Sequence, residues 1–296
     1  MQESLVSVIV PVYNGASFVI ETLESVAKQT HNRLECIIID DGSTDNTAAL
    51  VNDWIAADHR FTYYYQTNKG LSAARNAGLD WAKGDFIQFL DADDVLLPSK
   101  LEEQLANWPA EGPAVSYTDY GTGRSADIYS PSDYHKSARL HSGDKLTELI
   151  TRWESSLTIP PHSFLFNASF FTDKKIRFDT SLPNHEDFDC WVTIFRLLPP
   201  ITYVDKKLCI YRVTEGSMSK NMRLMGEGFL QVLDKHLGSG SQTVGLRRTL
   251  RKKRRETLKR YNRFDKMSFG EKILLIGYLY NYYTKRICQR LLGKTA

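Results

Sequence analysis

Three stretches decide the fold, and in each an apolar run ends in a polar cluster: LVSVIVPVYN (residues 5–14), LECIIIDDGSTD (residues 34–45) and DFIQFLDADD (residues 85–94). Such runs are typical of strands buried on both faces of a parallel sheet. Between them, apolar residues recur at helical spacing, and we predict helices over residues 16–29, 46–57 and 71–82. This alternation predicts an α/β fold with a mostly parallel sheet flanked by helices.

The polar clusters follow the carboxyl ends of the predicted strands. In open α/β sheets, ligands bind outside this edge. We therefore expect the loops that begin at Tyr13, Asp41 and Asp91 to converge on one site.

The cluster Asp91-Ala92-Asp93-Asp94 places three carboxylates within four residues. Burying them unpaired is costly, and a divalent cation relieves that cost. Mg²⁺ and Mn²⁺ favour oxygen ligands and are commonly held by one or two carboxylates together with substrate phosphates. The alternative is a solvated acidic turn that caps the following helix.

Four other groups are candidates, each with a simpler alternative. Asp41 accepts hydrogen bonds from a nucleotide or caps a helix, and Tyr13 lines a base pocket or packs. Arg75 suits a nucleotide base or a diphosphate, or it is a surface arginine. Asp187, within His185-Glu186-Asp187, takes a proton from a hydroxyl group if its pKa is raised, or it caps a helix.

Residues 5–100 as a whole resemble the N-terminal half of the family 2 glycosyltransferases, which have the GT-A fold. The resemblance is carried by VSVIVPVYN, LESVAKQT, LECIIIDDGSTDNT and NKGLSAARNAGLDWAKGDFIQFLDADD, in the family's order and at similar spacing. Two later segments also resemble the family, namely NHED before Cys190-Trp191 and LCIYRVTEGSMS at residues 208–219.

The resemblance implies a role for each matching residue. Pro11, Tyr13 and Asp41 would contact the nucleoside, with Asp41 near the base, and Arg75 would approach the base or the diphosphate. In the DxD element, Asp91 would lie near the ribose and the metal, and Asp93 would bind Mn²⁺ or Mg²⁺ directly. Asp187 would be the catalytic base of an inverting transfer from a nucleotide-sugar donor, most simply a UDP-sugar. Whether Glu186 shares that role stays open.

Two departures from the family pattern matter. In many relatives a histidine follows the Tyr-Arg pair by two residues, where this chain has Thr214, which puts a histidine contact to the metal in doubt. The Gln-x-x-Arg-Trp motif is absent, and no run of about 20 apolar residues is present. We therefore expect transfer of a single sugar to a glycan or lipid-linked acceptor, in bacterial surface polysaccharide or lipopolysaccharide synthesis by family analogy.

We divide the chain into a catalytic domain over residues 1–222 and a helical C-terminal extension over residues 223–296. The catalytic domain consists of a nucleotide-binding half (1–110) and an acceptor half (111–222). Within the second half, residues 117–134 are rich in Ser, Asp, Gly and Tyr, and we predict a loop there.

The extension carries nine basic residues against the single acid Glu256 within residues 246–260. An apolar stripe follows over residues 273–291, and this combination suits an anionic membrane surface. The alternative is a helical subdomain that packs on the catalytic domain. Nothing else in the sequence supports nucleic-acid binding, and we expect none.

We expect no signal peptide from the first residues, which have no basic segment and no long apolar segment, and the four cysteines form no CxxC pair. We therefore expect free thiols in a reducing cytoplasm, with peripheral contact to the inner face of the membrane. Two rival functions remain. A sugar nucleotidyltransferase needs a Gly-rich phosphate loop, which residues 11–14 do not form. A non-catalytic glycan-binding relative is disfavoured by the intact Asp41, Asp93 and Asp187.

Overall fold

The computed structural model describes residues 4–109, 112–130, 138–214, 221–240 and 243–261. The chain forms two compact units, Met1–Lys220 and Asn221–Ala296. Within the described residues the first unit has eight strands: β1 (Val6–Val12), β2 (Leu34–Asp40), β3 (Phe61–Tyr65), β4 (Phe86–Phe89), β5 (Val95–Leu96), β6 (Val115–Arg124), β7 (Phe164–Asn167) and β8 (Ile201–Val213). Its helices are α1 (Val19–Ala27), α2 (Thr47–Ile55), α3 (Leu71–Trp81), α4 (Lys100–Ala106), α5 (Lys145–Arg152), α6 (Ser169–Thr172) and α7 (Glu186–Phe195).

The strands form one sheet in the order β3-β2-β1-β4-β7-β6-β8-β5. Strands β3, β2, β1 and β4 run parallel to one another, and β6 runs parallel to β8. Strand β7 is antiparallel to β4 and β6, and β5 is antiparallel to β8. The α/β fold is therefore confirmed, and the ends of β1, β2 and β4 share one edge as predicted.

Helix α3 packs closely on the sheet because its residue 78 is glycine. A Cβ at Gly78 would lie 2.3 Å from Cγ2 of Ile9 in β1. This close approach places Arg75, one turn earlier in α3, at the sheet edge where β1, β2 and β4 end. The first predicted helix starts at Val19 rather than at residue 16, and the backbone N–H groups of Gly15 and Ala16, which precede it, donate to Thr47 and Asp45.

The predicted loop at residues 117–134 is wrong over its first part. Strand β6 runs through Val115–Arg124 and pairs with both β7 and β8. Two of its polar side chains are buried with partners: Ser116 Oγ accepts from Gln104, and Thr118 Oγ1 lies 3.9 Å from Cys209 Sγ. Long-range pairing therefore overrides a composition that favours a loop.

The second unit, within its described part, consists of α8 (Met222–Gly238) and α9 (Val244–Arg260). Leu230 and Leu258 are buried together between them, and Arg254 Nε donates to Asp234 Oδ1 at 2.5 Å. No helix in the described ranges combines the length and apolar character needed to cross a membrane. The predicted apolar stripe at residues 273–291 lies outside the described residues.

Candidate active site

Hydrogen bonds join the loops that follow β1 and β2. Asn14 has a left-handed φ of 49°, and its Oδ1 accepts from the backbone N–H of Thr44 at 2.8 Å. Its own N–H donates to Ser43 Oγ at 2.8 Å. Pro11 is buried within β1, whereas Tyr13, beyond the strand end, is 53% exposed. Of these two candidates, Tyr13 is thus the one presented at the rim.

The Asp41 carboxylate holds the loop between β3 and α3. It is buried, and it accepts hydrogen bonds from Gln66 Nε2 at 2.7 Å, Lys69 N at 2.9 Å and Gly70 N at 2.7 Å. A carboxylate has about four lone-pair sites, so about one is left for a ligand. The contact of Asp41 to a nucleotide base stays a prediction.

Asp94 anchors the acidic turn at residues 91–94. It is buried, and its Oδ2 lies 2.8 Å from Nδ1 of the buried His162. Its Oδ1 accepts from the backbone N–H of Arg212 at 2.7 Å, and its own N–H donates to Asp91 O at 3.1 Å. Both oxygens thus have protein partners, which makes Asp94 the structural member of the cluster.

Asp93 is the carboxylate of this turn that forms no ion pair with any described residue. Its side chain is partly buried. Burial and the neighbouring carboxylates of Asp94 and Asp91 raise the pKa of Asp93 to about 7. A negative charge is therefore held at Asp93 at a cost that a bound cation would relieve.

Arg75 connects this acidic turn to the start of α7. Its guanidinium is buried, with Nη2 donating to Asp91 Oδ1 at 2.7 Å and Nη1 donating to Glu186 Oε1 at 2.6 Å. It also lies over the ring of Phe178, 5.2 Å from the centroid. Its terminal nitrogens thus bind protein carboxylates, and a contact to the nucleotide stays a prediction.

Asp187 lies in the first turn of α7, next to Glu186. Its Oδ1 accepts from the backbone N–H of Phe188 at 2.6 Å, and no described residue forms an ion pair with it. Burial and the neighbouring Glu186 carboxylate raise the pKa of Asp187 to about 6. Since Glu186 is neutralised by Arg75, Asp187 is the carboxylate of the two that is suited to accept a proton near neutral pH.

The backbone beside Asp187 is unusual. His185 precedes α7 in the left-handed region, with a φ of 60°, and its Nε2 lies 2.7 Å from Oε1 of Glu154. Glu154 itself has a φ of 59°. Such conformations cost about 1–3 kcal/mol each in residues other than glycine, and they persist where the surroundings hold them. The contact between His185 and Glu154 therefore stabilises the backbone conformation at the start of α7.

Sequence reasoning missed the roles of several residues in this region. Arg212 had a signal, because an arginine interrupts the apolar run LCIYRV at residues 208–213. His162 and Glu154 had none, since no periodicity or motif surrounds them. Their roles depend on partners that are 68 and 31 residues away, Asp94 and His185.

The residues present fit a divalent cation. Asp93 and the second oxygen of Asp91 offer hard oxygen ligands, as Mg²⁺ and Mn²⁺ prefer. No group of three or more His, Cys, Asp or Glu side chains suited to a metal is assembled among the described residues. Such an ion commonly takes its remaining ligands from substrate phosphates and water. The donor set therefore suits a metal that binds together with a phosphorylated ligand.

Comparison with known sequences gives a family match. The family model described as "Glycosyl transferase family 2" matches residues 7–173. An uncharacterized glycosyltransferase of Rickettsia felis is 32% identical over 218 residues, which cover 73% of this chain and 34% of that protein. This chain thus spans about a third of the length of that relative.

Two solved structures share the fold. The crystal structure of S. aureus TarS 1–349 in complex with UDP-GlcNAc has a TM-score of 0.65 at 22% identity, over 90% of this chain and 77% of that chain. The mannosyltransferase PcManGT from Pyrobaculum calidifontis, in complex with GDP-Man and Mn²⁺, has a TM-score of 0.62 at 19% identity, over 93% of this chain and 79% of that chain. At such identities the likeness concerns the fold.

Proposed function

Because the chain belongs to glycosyl transferase family 2 and is a glycosyltransferase, we propose that it transfers a single sugar from a nucleoside diphosphate sugar to a hydroxyl acceptor and inverts the anomeric centre. The observation that carries this proposal is the Arg75 bridge. One guanidinium binds Asp91, two residues before Asp93, and Glu186, the residue before Asp187. The carboxylate for the metal and the carboxylate for the proton therefore belong to one site.

In this proposal the acceptor oxygen attacks the anomeric carbon from the face opposite the diphosphate. Asp187 accepts the acceptor's proton as the new C–O bond forms, and the bond from the anomeric carbon to the phosphate oxygen breaks. The nucleoside diphosphate leaves with the bonding electron pair. The raised pKa of Asp187, about 6, suits a general base that works near neutral pH.

We infer that Asp93 and Asp91 hold Mn²⁺ or Mg²⁺ together with the diphosphate of the donor. Bound there, the ion stabilises negative charge on the leaving diphosphate. The structures that share this fold contain UDP-GlcNAc in one case and GDP-Man with Mn²⁺ in the other. They support a nucleotide-sugar donor for this chain, and we take a UDP-sugar as the first candidate, with Tyr13, Pro11 and Asp41 on its nucleoside side.

The first experiment screens UDP-, GDP- and dTDP-sugars for binding and slow hydrolysis, with Mn²⁺, with Mg²⁺ and with a chelator. We expect one donor to bind in the presence of metal and to be released by the chelator. Absence of metal-dependent binding of any nucleotide or nucleotide sugar would overturn the catalytic proposal in favour of a glycan-binding relative. Formation of pyrophosphate from a sugar 1-phosphate and a nucleoside triphosphate would instead indicate a nucleotidyltransferase.

We further propose that α9 contacts an anionic membrane surface, where a lipid-linked acceptor of surface polysaccharide or lipopolysaccharide synthesis would lie. The basic residues on one face of α9 recur at i, i+4 spacing: Arg247, Arg251, Arg255 and Lys259, with Arg248 and Lys252 beside them. Leu250, Lys253 and Thr257 are buried on the opposite side, and Leu258 is buried at the border of the basic face. A cationic face of this kind is attracted to anionic lipid headgroups.

Neutralising two of these charges tests the membrane proposal. We expect Arg251→Gln with Arg255→Gln to weaken binding to phosphatidylglycerol vesicles by about 30-fold, from about 1 kcal/mol per charge. Vesicle co-sedimentation at low and high salt measures it. The control is Lys174→Gln with Lys175→Gln, which changes the net charge equally on exposed residues of the first unit. Equal loss in both variants would show that only net charge matters.

A further inference from the structure

Arg212 forms hydrogen bonds to the acidic turn that no sequence motif predicted. Its side chain is 2% exposed, and its Nε donates to the backbone carbonyl of Asp93 at 2.7 Å. Nη1 donates to the carbonyl of Ser125 at 2.8 Å, and Nη2 pairs with the carboxylate of Glu21. Its backbone N–H donates to Asp94 Oδ1 at 2.7 Å. Each nitrogen that can donate is therefore used.

The position of Arg212 follows from strand pairing. β5 leaves the acidic turn and pairs antiparallel with β8, with Val95 opposite Ile210 and Leu96 opposite Cys209. Arg212 comes two residues after Ile210 on β8, beyond the last pair, where the ladder meets the turn. The guanidinium is thus delivered to the turn by tertiary pairing, across 119 residues of sequence from Asp93.

Helix α1 also contributes a side chain that hydrogen-bonds to the same turn. Thr22 Oγ1 lies 2.9 Å from the carbonyl of Ala92 and 2.8 Å from the carbonyl of Asp94. Because a hydroxyl group has one hydrogen, Thr22 shares it between these two carbonyls or donates it to one of them. With Arg212 on the carbonyl of Asp93, two side chains lie within hydrogen-bond distance of three successive carbonyls of the turn. Glu21, the neighbour of Thr22, is the residue that pairs with Arg212. Side chains from α1 and β8 therefore restrain the backbone of the turn together.

The backbone of the turn needs these hydrogen bonds because its carboxylates repel one another and Asp93 forms no ion pair among the described residues. We propose that Arg212 and Glu21 are positioning residues, which hold the backbone of Asp93 so that its carboxylate stays directed to the metal and diphosphate of the donor. This inference rests on the proposed function of Asp93.

Two conservative variants test it. Arg212→Lys keeps the charge but loses the planar fork that reaches two carbonyls at once. Glu21→Gln keeps the shape and one oxygen acceptor, removes the charge and replaces the other oxygen by an NH₂ group. Because this side chain is partly exposed, Glu21→Gln is the variant expected to fold normally. The matched control is Arg60→Lys, since Arg60 also pairs with a carboxylate, Asp58, and donates to a carbonyl, that of Ala27.

The readout is Mn²⁺ binding measured by electron paramagnetic resonance, with UDP as the probe nucleotide, alongside thermal unfolding and steady-state kinetics. Partners of metal ligands typically contribute 10–100-fold in metal affinity. We expect Arg212→Lys and Glu21→Gln to weaken Mn²⁺·UDP binding by about tenfold or more and to lower kcat, with the KM for the acceptor unchanged. Arg60→Lys should bind as the wild type does.

Wild-type affinity for Mn²⁺·UDP in folded Glu21→Gln and Arg212→Lys would overturn the positioning role. A uniform loss of stability in which the affinity of the folded fraction is unchanged would overturn it equally. These outcomes differ from a failure of the proposed function, in which the wild-type protein itself would bind no metal with any nucleotide.

Discussion

We expect the Asp187→Asn variant to lose about 10²–10⁴-fold in kcat while it still binds the nucleotide-sugar donor. The asparagine keeps the shape of the side chain but cannot accept the proton of the acceptor hydroxyl. The loss should appear in kcat rather than in the donor KM, because the missing interaction belongs to the transition state. Steady-state kinetics with saturating donor measure it.

The wild-type pH profile gives an independent check of the same residue. Burial and the Glu186 carboxylate raise the pKa of Asp187 to about 6. A general base acts when it is deprotonated, and kcat/KM reports pKa values of the free enzyme, so kcat/KM should rise with pH through about 6 and level off above it. In Asp187→Asn the residual rate should lose this limb. A wild-type rate that is flat from pH 5 to 8 would contradict the assignment.

The stability of the variant separates catalysis from folding. A carboxyl whose pKa is raised in the folded state contributes stability at low pH that is lost as the pH rises through the folded pKa. Above pH 6 the buried Asp187 is charged, which costs folded-state stability, whereas asparagine stays neutral. We therefore expect Asp187→Asn to unfold above pH 6 at the same temperature as the wild type or higher. Glu186→Gln is the matched variant, and a kcat loss found there but absent from Asp187→Asn would move the base to Glu186.

The second large effect is expected for Asp93→Asn. A metal ion contributes several kcal/mol of charge stabilisation in the transition state, so transfer should fall by roughly a thousandfold. Mn²⁺ should also raise the unfolding temperature of the wild type in the presence of UDP but leave that of Asp93→Asn unchanged, because a ligand stabilises only the state that binds it. A thermal-shift titration measures this without activity.

Asp53→Asn is the control for that experiment, because Asp53 is an exposed carboxylate on α2. It should keep both the metal-dependent shift and the transfer rate. If Asp93→Asn retained full metal-dependent stabilisation and transfer, the DxD interpretation of Asp93 would be wrong. The metal would then have to be held by other ligands.

The sequence by itself determined the α/β fold, the family and the edge at which the polar loops meet. Strands β1, β2 and β4 are near-continuous apolar runs that include the polar residues Ser7, Glu35 and Gln88. Their signal is local, because a strand buried on both faces needs apolar residues at most positions. Since parallel strands share one carboxyl edge, their order in sequence was enough to predict that Tyr13, Asp41 and Asp91 lie at the same edge. The solved structures with similar folds agree with the predicted GT-A fold.

Only the tertiary structure decided which polar groups are paired and which are left for a ligand. Asp91, Asp93 and Asp94 look alike in sequence, but they differ in the structure. Asp91 pairs with Arg75. Asp94 contacts His162 and accepts a hydrogen bond from the backbone of Arg212. The same holds for β6, whose loop-like composition is overridden by pairing on both sides. The physical reason is that a carboxylate's charge state and freedom depend on burial and on partners about 3 Å away, and these partners come from distant parts of the chain.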